Sequence, residues 1–326
     1  MPEIVRDRPR LDPVAVGLVL GYAADRLFGD PRRGHPVAGF GQAALHLESL
    51  LYRPRRSRGV LYEVLLVGPV TAAGAVVARR GTGGALIGAT ALATWIVLGG
   101  RSLETEALRV HQFLAAGDLE AARERVSWIV GRDPSQLSAD EVARACIESV
   151  AENTADAVVA PLLWGAVAGV PGLLGYRAIN TLDAMVGHRS ERYREFGWAA
   201  ARLDDLANVL PARLTVIATA LARPRTLRAL VRAVREDAPA HPSPNAGPVE
   251  AAAAAALGIC LGGANTYEGV TEDRGHLGNG PSPSASDIPR ATSLARTTGV
   301  ISLGLLLVGR ALCRRVLARR SPQAAA

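Results

Sequence analysis

The chain alternates between long apolar runs and short, densely charged stretches. Gly83–Gly100, Ala157–Tyr176 and Thr297–Gly309 with its neighbours carry few or no charges over roughly 18 to 20 residues, the length that crosses a bilayer's hydrocarbon core. A second group, Pro13–Phe28, Val60–Ala78 and Leu206–Ala222, is interrupted by Asp25, Glu63 and Arg213 respectively. An ionisable group inside such a span is costly, so each marks a functional or paired position. Between these runs, Arg101–Ala151 is polar, with helical patterning in SLETEALRVHQFLAAGDLEAARERVSWIV and a break at GRDPSQ. Ser138 or Asp140 can cap the helix that follows. APAHPSPNAGP, Ala238–Pro248, is too rich in proline for helix or strand, and GHLGNGPSPSASDIP, Gly275–Pro289, reads as a loop.

The pattern predicts an all-α, polytopic integral membrane protein. Residues 1–326 form a single membrane-embedded unit, with a polar helical insertion at about 101–151 and polar motif loops at about 177–206 and 238–250. The first apolar run does not read as a signal peptide, because Asp25 and Arg26 interrupt it and no small-residue cleavage site follows.

Composition strengthens this picture. Hydrophobic residues make up 49% of the chain but aromatics only 4%, so Ala, Val, Leu and Gly carry the apolar content, as in close-packed membrane helices. All 37 basic residues are arginine. With no lysine there can be neither a Walker-type phosphate loop nor a Schiff base, and any bound anion must be met by Arg, His, backbone N–H groups or metal. The net charge of +7 does not point to nucleic acid, because the arginines flank apolar segments, as at Arg53, Arg55, Arg56 and Arg58, instead of forming a stripe interleaved with aromatics. Cys146, Cys260 and Cys313 are isolated and give neither a disulfide framework nor metal spacing.

The candidate chemistry gathers where apolar runs begin. Glu148, Glu152 and Asp156 are spaced i, i+4 and i+8, which stacks them on one helical face that enters ADAVVAPLLWG at once. Desolvation makes such a stack costly unless a Mg²⁺ ion or arginines from elsewhere meet it. Ile179–Arg213 is the densest polar constellation, and Asp204 and Asp205 repeat the pattern of acids at the start of an apolar segment. An amphipathic helix with internally paired charges would show the same residues. DRLFGDPRRGHPVAGFG places Asp25, Asp30 and His35 in a turn-rich stretch, and SPNAGPVEA places Asn245 and Glu250 where a Pro-rich loop becomes helix. There is no GxSxG elbow, HExxH helix or Gly-rich dinucleotide fingerprint. The residues alone describe a membrane protein with an acid- and Arg-rich site at the membrane edge that binds a phosphorylated ligand.

Taken in order, DRLFGDPRRGHPVAGFG, GRDP, ESVAENTADAVVAPLLWG, YRAINTLDAMVGHRSERYREFGWAAARLDDLANVLPARL and SPNAGPVEAAAAAALG…ANTYEG resemble the CobD/CbiB family of cobalamin biosynthesis, over about Asp25 to Gly269. The resemblance implies an adenosylcobinamide-phosphate synthase of the bacterial cytoplasmic membrane. Such an enzyme joins adenosylcobyric acid to (R)-1-aminopropan-2-ol O-2-phosphate, or a related amino alcohol, through an amide bond. It also implies ATP as co-substrate and Mg²⁺.

On that resemblance Glu148, Glu152, Asp183 and His188 are the expected catalytic groups, and Glu152, Asp156, Asp204 and Asp205 the expected metal ligands. Asn153, Arg177, Asn180, Arg189, Arg192, Arg202, Arg213, Asn245 and His35 are expected to hold substrate or phosphate, with His35 and His188 as proton carriers. Cytosolic substrates require these motifs to face the cytoplasm, so Ala157–Tyr176 is expected to fold back at GVPGLLG, Gly169–Gly175, as a re-entrant hairpin. The expected partners are the corrinoid, the amino-alcohol phosphate and the lipid bilayer, and the acid-rich helices offer a docking face to other enzymes of the pathway. The competing class is a non-catalytic corrinoid transporter or scaffold; its polar residues would be distributed through several spans, whereas here they gather at span edges.

Overall fold

The structure, a computed structural model, describes residues 11–31, 34–131, 133–188, 190–267 and 270–320. Among these residues thirteen α-helices follow one another: α1 (Pro13–Phe28), α2 (Pro36–Leu51), α3 (Arg56–Arg80), α4 (Gly83–Val97), α5 (Gly100–Ala115), α6 (Leu119–Val126), α7 (Ala139–Thr154), α8 (Ala160–Ala168), α9 (Val170–Leu182), α10 (Trp198–Ala222), α11 (Leu227–Glu236), α12 (Ala246–Leu257) and α13 (Ile288–Arg320). Local sequence sets their ends. The Asp12 carboxylate caps α1 by accepting from Val14 N at 3.1 Å. Of the two caps available to α7, Ser138 is used, in a reciprocal capping box with Glu141.

The helices form an apolar and a polar half. In the apolar half α1, α4, α8, α9 and the later turns of α13 share a core of Val14, Leu18, Val97, Leu162, Leu173 and Leu303. These elements run between two levels. At one, Gly99 N donates to Ala157 O at 3.2 Å and Arg101 N to the Asp25 carboxylate at 3.3 Å. At the other, Arg310 donates both to Asp12 and to the Ala166 carbonyl. In the polar half α5, α6, α7, α11, α12 and the start of α13 bury Val110, Val142, Ile147, Ala254 and Ile288.

Among the described residues three helical stretches are long and apolar enough to cross a membrane: Arg56–Arg80, Gly83–Ala115 (which bends between α4 and α5) and Trp198–Ala222. Their outward faces are apolar, with Val60, Leu61, Val64 and Leu65 exposed on α3 and Leu206, Leu210, Ile217 and Leu221 on α10.

Ala157–Tyr176 folds back where GVPGLLG begins: it opens in a π-helical turn, forms the short α8, and reverses at Gly169, whose φ is +68°. Gly172 packs against the Trp164 carbonyl, a contact that an unbroken helix would separate by about 12 Å. Other expectations need correction. The chain is predominantly helical, and among the described residues the departure from all-α is a two-stranded antiparallel hairpin of β1 (Leu261–Tyr267) and β2 (Val270–Leu277) with a bulge between Gly262 and Ala264. The segment expected as a polar loop at 177–206 is helical over 177–187 and 198–206, because α9 continues through Leu182 into a π-helical turn and α10 starts at Trp198. The Pro-rich 238–248 stretch becomes helix at Ala246, since Pro248 sits in the first turn, where its missing N–H costs nothing.

Close helix contacts depend on missing side chains. A Cβ on Gly59 of α3 would lie 1.9 Å from the Phe196 carbonyl oxygen, whereas one on Gly68 of the same helix would meet nothing within 4 Å. Gly59→Ala is therefore expected to lower stability by about 1–3 kcal/mol, and Gly68→Ala to be neutral or slightly stabilising. Thermal unfolding in detergent measures both, and equal effects would contradict this packing.

Candidate functional site

The acids at the start of the apolar run do not stay on one face. The i, i+4, i+8 stacking assumed a continuous α-helix, but α7 ends at Thr154 and the π-helical turn over Ala155–Val159 adds backbone per turn, so Asp156 leaves the line of Glu148. Glu148, 4% exposed, turns to the hairpin, where its Oε1 accepts from Gly262 N at 2.9 Å while Arg144 donates to the Gly262 carbonyl. Of the charges around Asp156, Asp204, Glu152 and Asp183 are the repelling ones and Arg177 the attracting one. The structure thus separates Glu148 from an acid group built by the α7–α8 joint, the end of α9 and the start of α10.

That group has a defined polar frame. Tyr176 Oη donates to Asn208 Oδ1 at 2.8 Å, which leaves the Asn208 amide nitrogen to donate to Asp204 Oδ2 at 2.9 Å. Asn180 Nδ2 reaches Asp204 Oδ1 at 3.3 Å, so both oxygens of Asp204 are held. Trp164 Nε1 donates to the Ala207 carbonyl at 3.0 Å and ties α8 to the same turn of α10. Burial, followed by the charges of Asp204, Asp205 and Glu152, pushes the Asp183 carboxyl up to about 7. Burial and its acidic neighbours hold Asp156 well above the usual carboxylate range.

A second polar edge adjoins the first. Arg213 donates to Asn245 Oδ1 at 2.8 Å and to the Pro244 carbonyl at 3.1 Å, while Asn245 Nδ2 donates to the Asp205 carbonyl at 2.7 Å. The 241–245 loop is thereby fastened to α10 at Asp205, next to Asp204, and at Arg213, about two and a half turns further on. His241 supports it: Ser243 N lies 3.1 Å from His241 Nδ1, and Nε2 lies 3.7 Å from Glu250. Burial, reinforced by Arg274, lowers the His241 pKa to about 4.

The other expected residues lie elsewhere. His35 caps α2, its Nδ1 accepting from Val37 N at 3.2 Å. His188 is exposed and packs edge-on against Tyr193. Asn153 bonds back to Ser149 of its own helix. Arg192 pairs with Glu48 at 2.9 Å and stacks on Tyr52, and Arg202 faces Asp205 at 3.8 Å on an open surface. Arg189 lies outside the described residues. Conversely, four residues absent from the expected set belong to this neighbourhood. Tyr176 and Asn208 carry the frame, and Asp30 of the GDP turn is among the charges acting on Arg177. Both oxygens of the fourth such residue, Glu63 of α3, are buried without a hydrogen-bond partner, and the charges acting on it are Asp183 and Asp204. Its sequence signal was an acid inside an apolar run.

Among the described residues no three His, Cys, Asp or Glu side chains stand close enough together to ligate one ion, so Glu152, Asp156, Asp204 and Asp205 are not a preassembled metal cage. The donor set nevertheless suits a hard cation: every candidate is a carboxylate or amide oxygen, and Glu63 brings two buried oxygens with nothing else to bind. Mg²⁺ retains several waters, so its carboxylates need not touch one another's ligating sphere. Because Glu148 holds a hairpin amide, Glu148→Ala is expected to destabilise the fold by about 1–3 kcal/mol through the buried N–H left unpaired. Glu148→Gln, which keeps an acceptor, should cost less and leave divalent-cation affinity at the wild-type value. Thermal unfolding and cation titration check the pair, and a loss of cation affinity in Glu148→Gln would return Glu148 to the acid group.

Comparison with known proteins places the chain. The family described as CobD/Cbib protein matches residues 18–295. Proteins named "Cobalamin biosynthesis protein CobD" are similar along most of their length: that of Mycobacterium tuberculosis is 50% identical over 301 residues, covering 91% of this chain and 96% of its own. That of Rhodobacter capsulatus is 46% identical over 290 residues (87% and 90%), and that of Chromobacterium violaceum 45% over 289 (86% and 91%). No solved structure matches the chain. With a family match over residues 18–295 and relatives near half identity over most of its length, the chain belongs to the CobD/CbiB family.

Proposed function

We propose that this protein, a member of a cobalamin-biosynthesis family, forms the amide bond between adenosylcobyric acid and (R)-1-aminopropan-2-ol O-2-phosphate or a related amino alcohol, at the expense of ATP. The observation that carries this reading is the convergence of Glu152, Asp156, Asp183 and Asp204 with Arg177, beside the Arg213–Asn245 edge. A carboxylate does not condense with an amine in water unless activated; ATP would supply that activation by phosphorylating the corrinoid carboxylate, and the amine would then displace phosphate. Mg²⁺ bound by the acids would neutralise charge on the phosphates.

The chain's own residues have separable tasks. Asp204, fixed through Asn180 and Asn208, is the acid best held as a carboxylate ligand. Asp183, whose pKa lies near 7, is suited to take the proton that the amine loses as the amide forms. Arg177 and Arg213 are the cations best placed for phosphate, since Arg192 is committed to Glu48 and Arg202 lies on the open surface. The α8–α9 hairpin supports a cytoplasmic site in a multi-pass protein. At nine residues, α8 rises only about 14 Å before Gly169 turns the chain back, less than the roughly 30 Å of a bilayer core. The hairpin then returns to the side from which it entered and delivers Asp183 beside Asp156.

Purified protein with both substrates, ATP and Mg²⁺ should yield the amide by mass spectrometry, and Glu152→Gln and Asp183→Asn should each lower the rate at least tenfold. Folded wild-type protein that binds corrinoid and makes no amide would favour a carrier or scaffold. A cysteine placed at position 188 in a chain without its native cysteines should react with a membrane-impermeant maleimide only in inside-out vesicles. Labelling from the cell exterior would contradict the hairpin topology. The raised pKa of Asp183 also sets a pH dependence. Between its ordinary value of 3.8 and about 7 the native state keeps a proton that the unfolded chain has released, so without divalent cation stability falls as pH rises through that window. A cation must displace the same proton, so Mg²⁺ affinity should climb with pH and level off above about 7; titrations at pH 5.5 and 8 that give equal affinity would contradict this.

A further inference from the structure

We infer that Glu63 of α3 is a ligand of a divalent cation held between α3 and the acids Asp183 and Asp204. The inference rests on the cation-binding reading of the acid group proposed above, and extends that site to a helix that no motif in the sequence assigned to it.

Register places Glu63 there. A Cβ on Gly74 would lie 2.8 Å from Pro171 Cα and one on Gly175 2.7 Å from Thr71 Oγ1, so contacts move down α3 as they move up α9 and the two helices are antiparallel. Counting back from Gly74 to Glu63 and forward from Pro171 to Asp183 gives nearly equal rises of about 17 Å at the α-helical pitch. The two acids therefore stand at one level. The fit is rigid at that end: Gly59 abuts the Phe196 carbonyl, and Tyr62 packs on the Phe196 ring at 5.2 Å between centroids.

Chemistry then narrows what Glu63 does. It is 5% exposed and points inward, while its neighbours Val60, Leu61, Val64 and Leu65 face out. Neither carboxylate oxygen has a hydrogen-bond partner. The charges acting on it, Asp183 and Asp204, are of its own sign. As an ion Glu63 lacks a counter-charge, and as a neutral acid its hydroxyl lacks an acceptor. A hydrated divalent cation between it and the two aspartates answers both, and its water shell accommodates acids too far apart to ligate a bare ion directly.

The test uses full-length protein in detergent with Mn²⁺ as a spin probe, free and bound ion being separated by electron paramagnetic resonance. Glu63→Gln has the shape of the protonated acid and cannot act as an anionic ligand. It should weaken Mn²⁺ binding at least tenfold, while Glu63→Asp, which keeps the charge, should weaken it less. The thermal midpoint of each variant reports folding, and should Glu63→Gln not fold, the inference stands only if Glu63→Asp still binds more weakly than wild type. Wild-type affinity in Glu63→Gln together with loss in Asp183→Asn would overturn the role of Glu63 alone. Wild-type protein that binds no Mn²⁺ would overturn this inference and the cation reading beneath it.

Discussion

The structure turns on a concentration of like charge where water is scarce. Glu152, Asp156, Asp183 and Asp204, with Glu63 opposite, meet where apolar helices begin. Two carboxylates about 5 Å apart repel by about 3 kcal/mol at an effective dielectric of 20, and each added neighbour compounds the cost. Proteins relieve such crowding by protonation, by arginine or by metal. Among the described residues Arg177 attracts Asp156, and the amides of Asn180 and Asn208 hold Asp204. The ATP-dependent ligase proposed above would bring magnesium with its nucleotide to a site this rich in acid.

The scaffold is arranged to make that crowding unavoidable. The reversal at Gly169 brings α9 back so that Asp183 returns beside Asp156, and the antiparallel contacts of Gly74 with Pro171 and Gly175 with Thr71 fix α3 against it. Tyr176, Asn208 and Trp164 then lock α8, α9 and α10 at one level. Around this centre the polar half of the molecule supplies the 241–245 loop, which reaches α10 through Asn245 and Arg213. Helices that carry apolar outer faces and polar inner joints have this division in common with membrane proteins whose chemistry sits at the boundary.

Much of the architecture was legible because helical periodicity and capping are local signals. The Ser138 cap, the Pro and Gly punctuation and the break after Ala168 can be read directly from residue types. The hairpin Leu261–Leu277 was not legible, since its glycines and mixed polarity mask the two-residue alternation of a strand. The spacing of Glu148, Glu152 and Asp156 misled for a different reason: one π-helical turn changes the phase, and no residue type announces it. Glu63 was visible only as an anomaly in an apolar run, because the residues that explain it lie more than a hundred positions away and reach it through helix packing.

The central claim is that the acid group is completed by a divalent cation. Its most direct test is the thermal unfolding midpoint of the wild-type protein, at fixed pH above 7 and fixed ionic strength, as Mg²⁺ replaces a monovalent salt. A ligand that binds only the native state stabilises by RT ln(1 + [L]/Kd), so the midpoint should rise with Mg²⁺ beyond what ionic strength produces, and the Asp183→Asn protein should respond less. A wild-type midpoint indifferent to Mg²⁺ would show that the protein resolves its buried charge without metal, and would contradict the account.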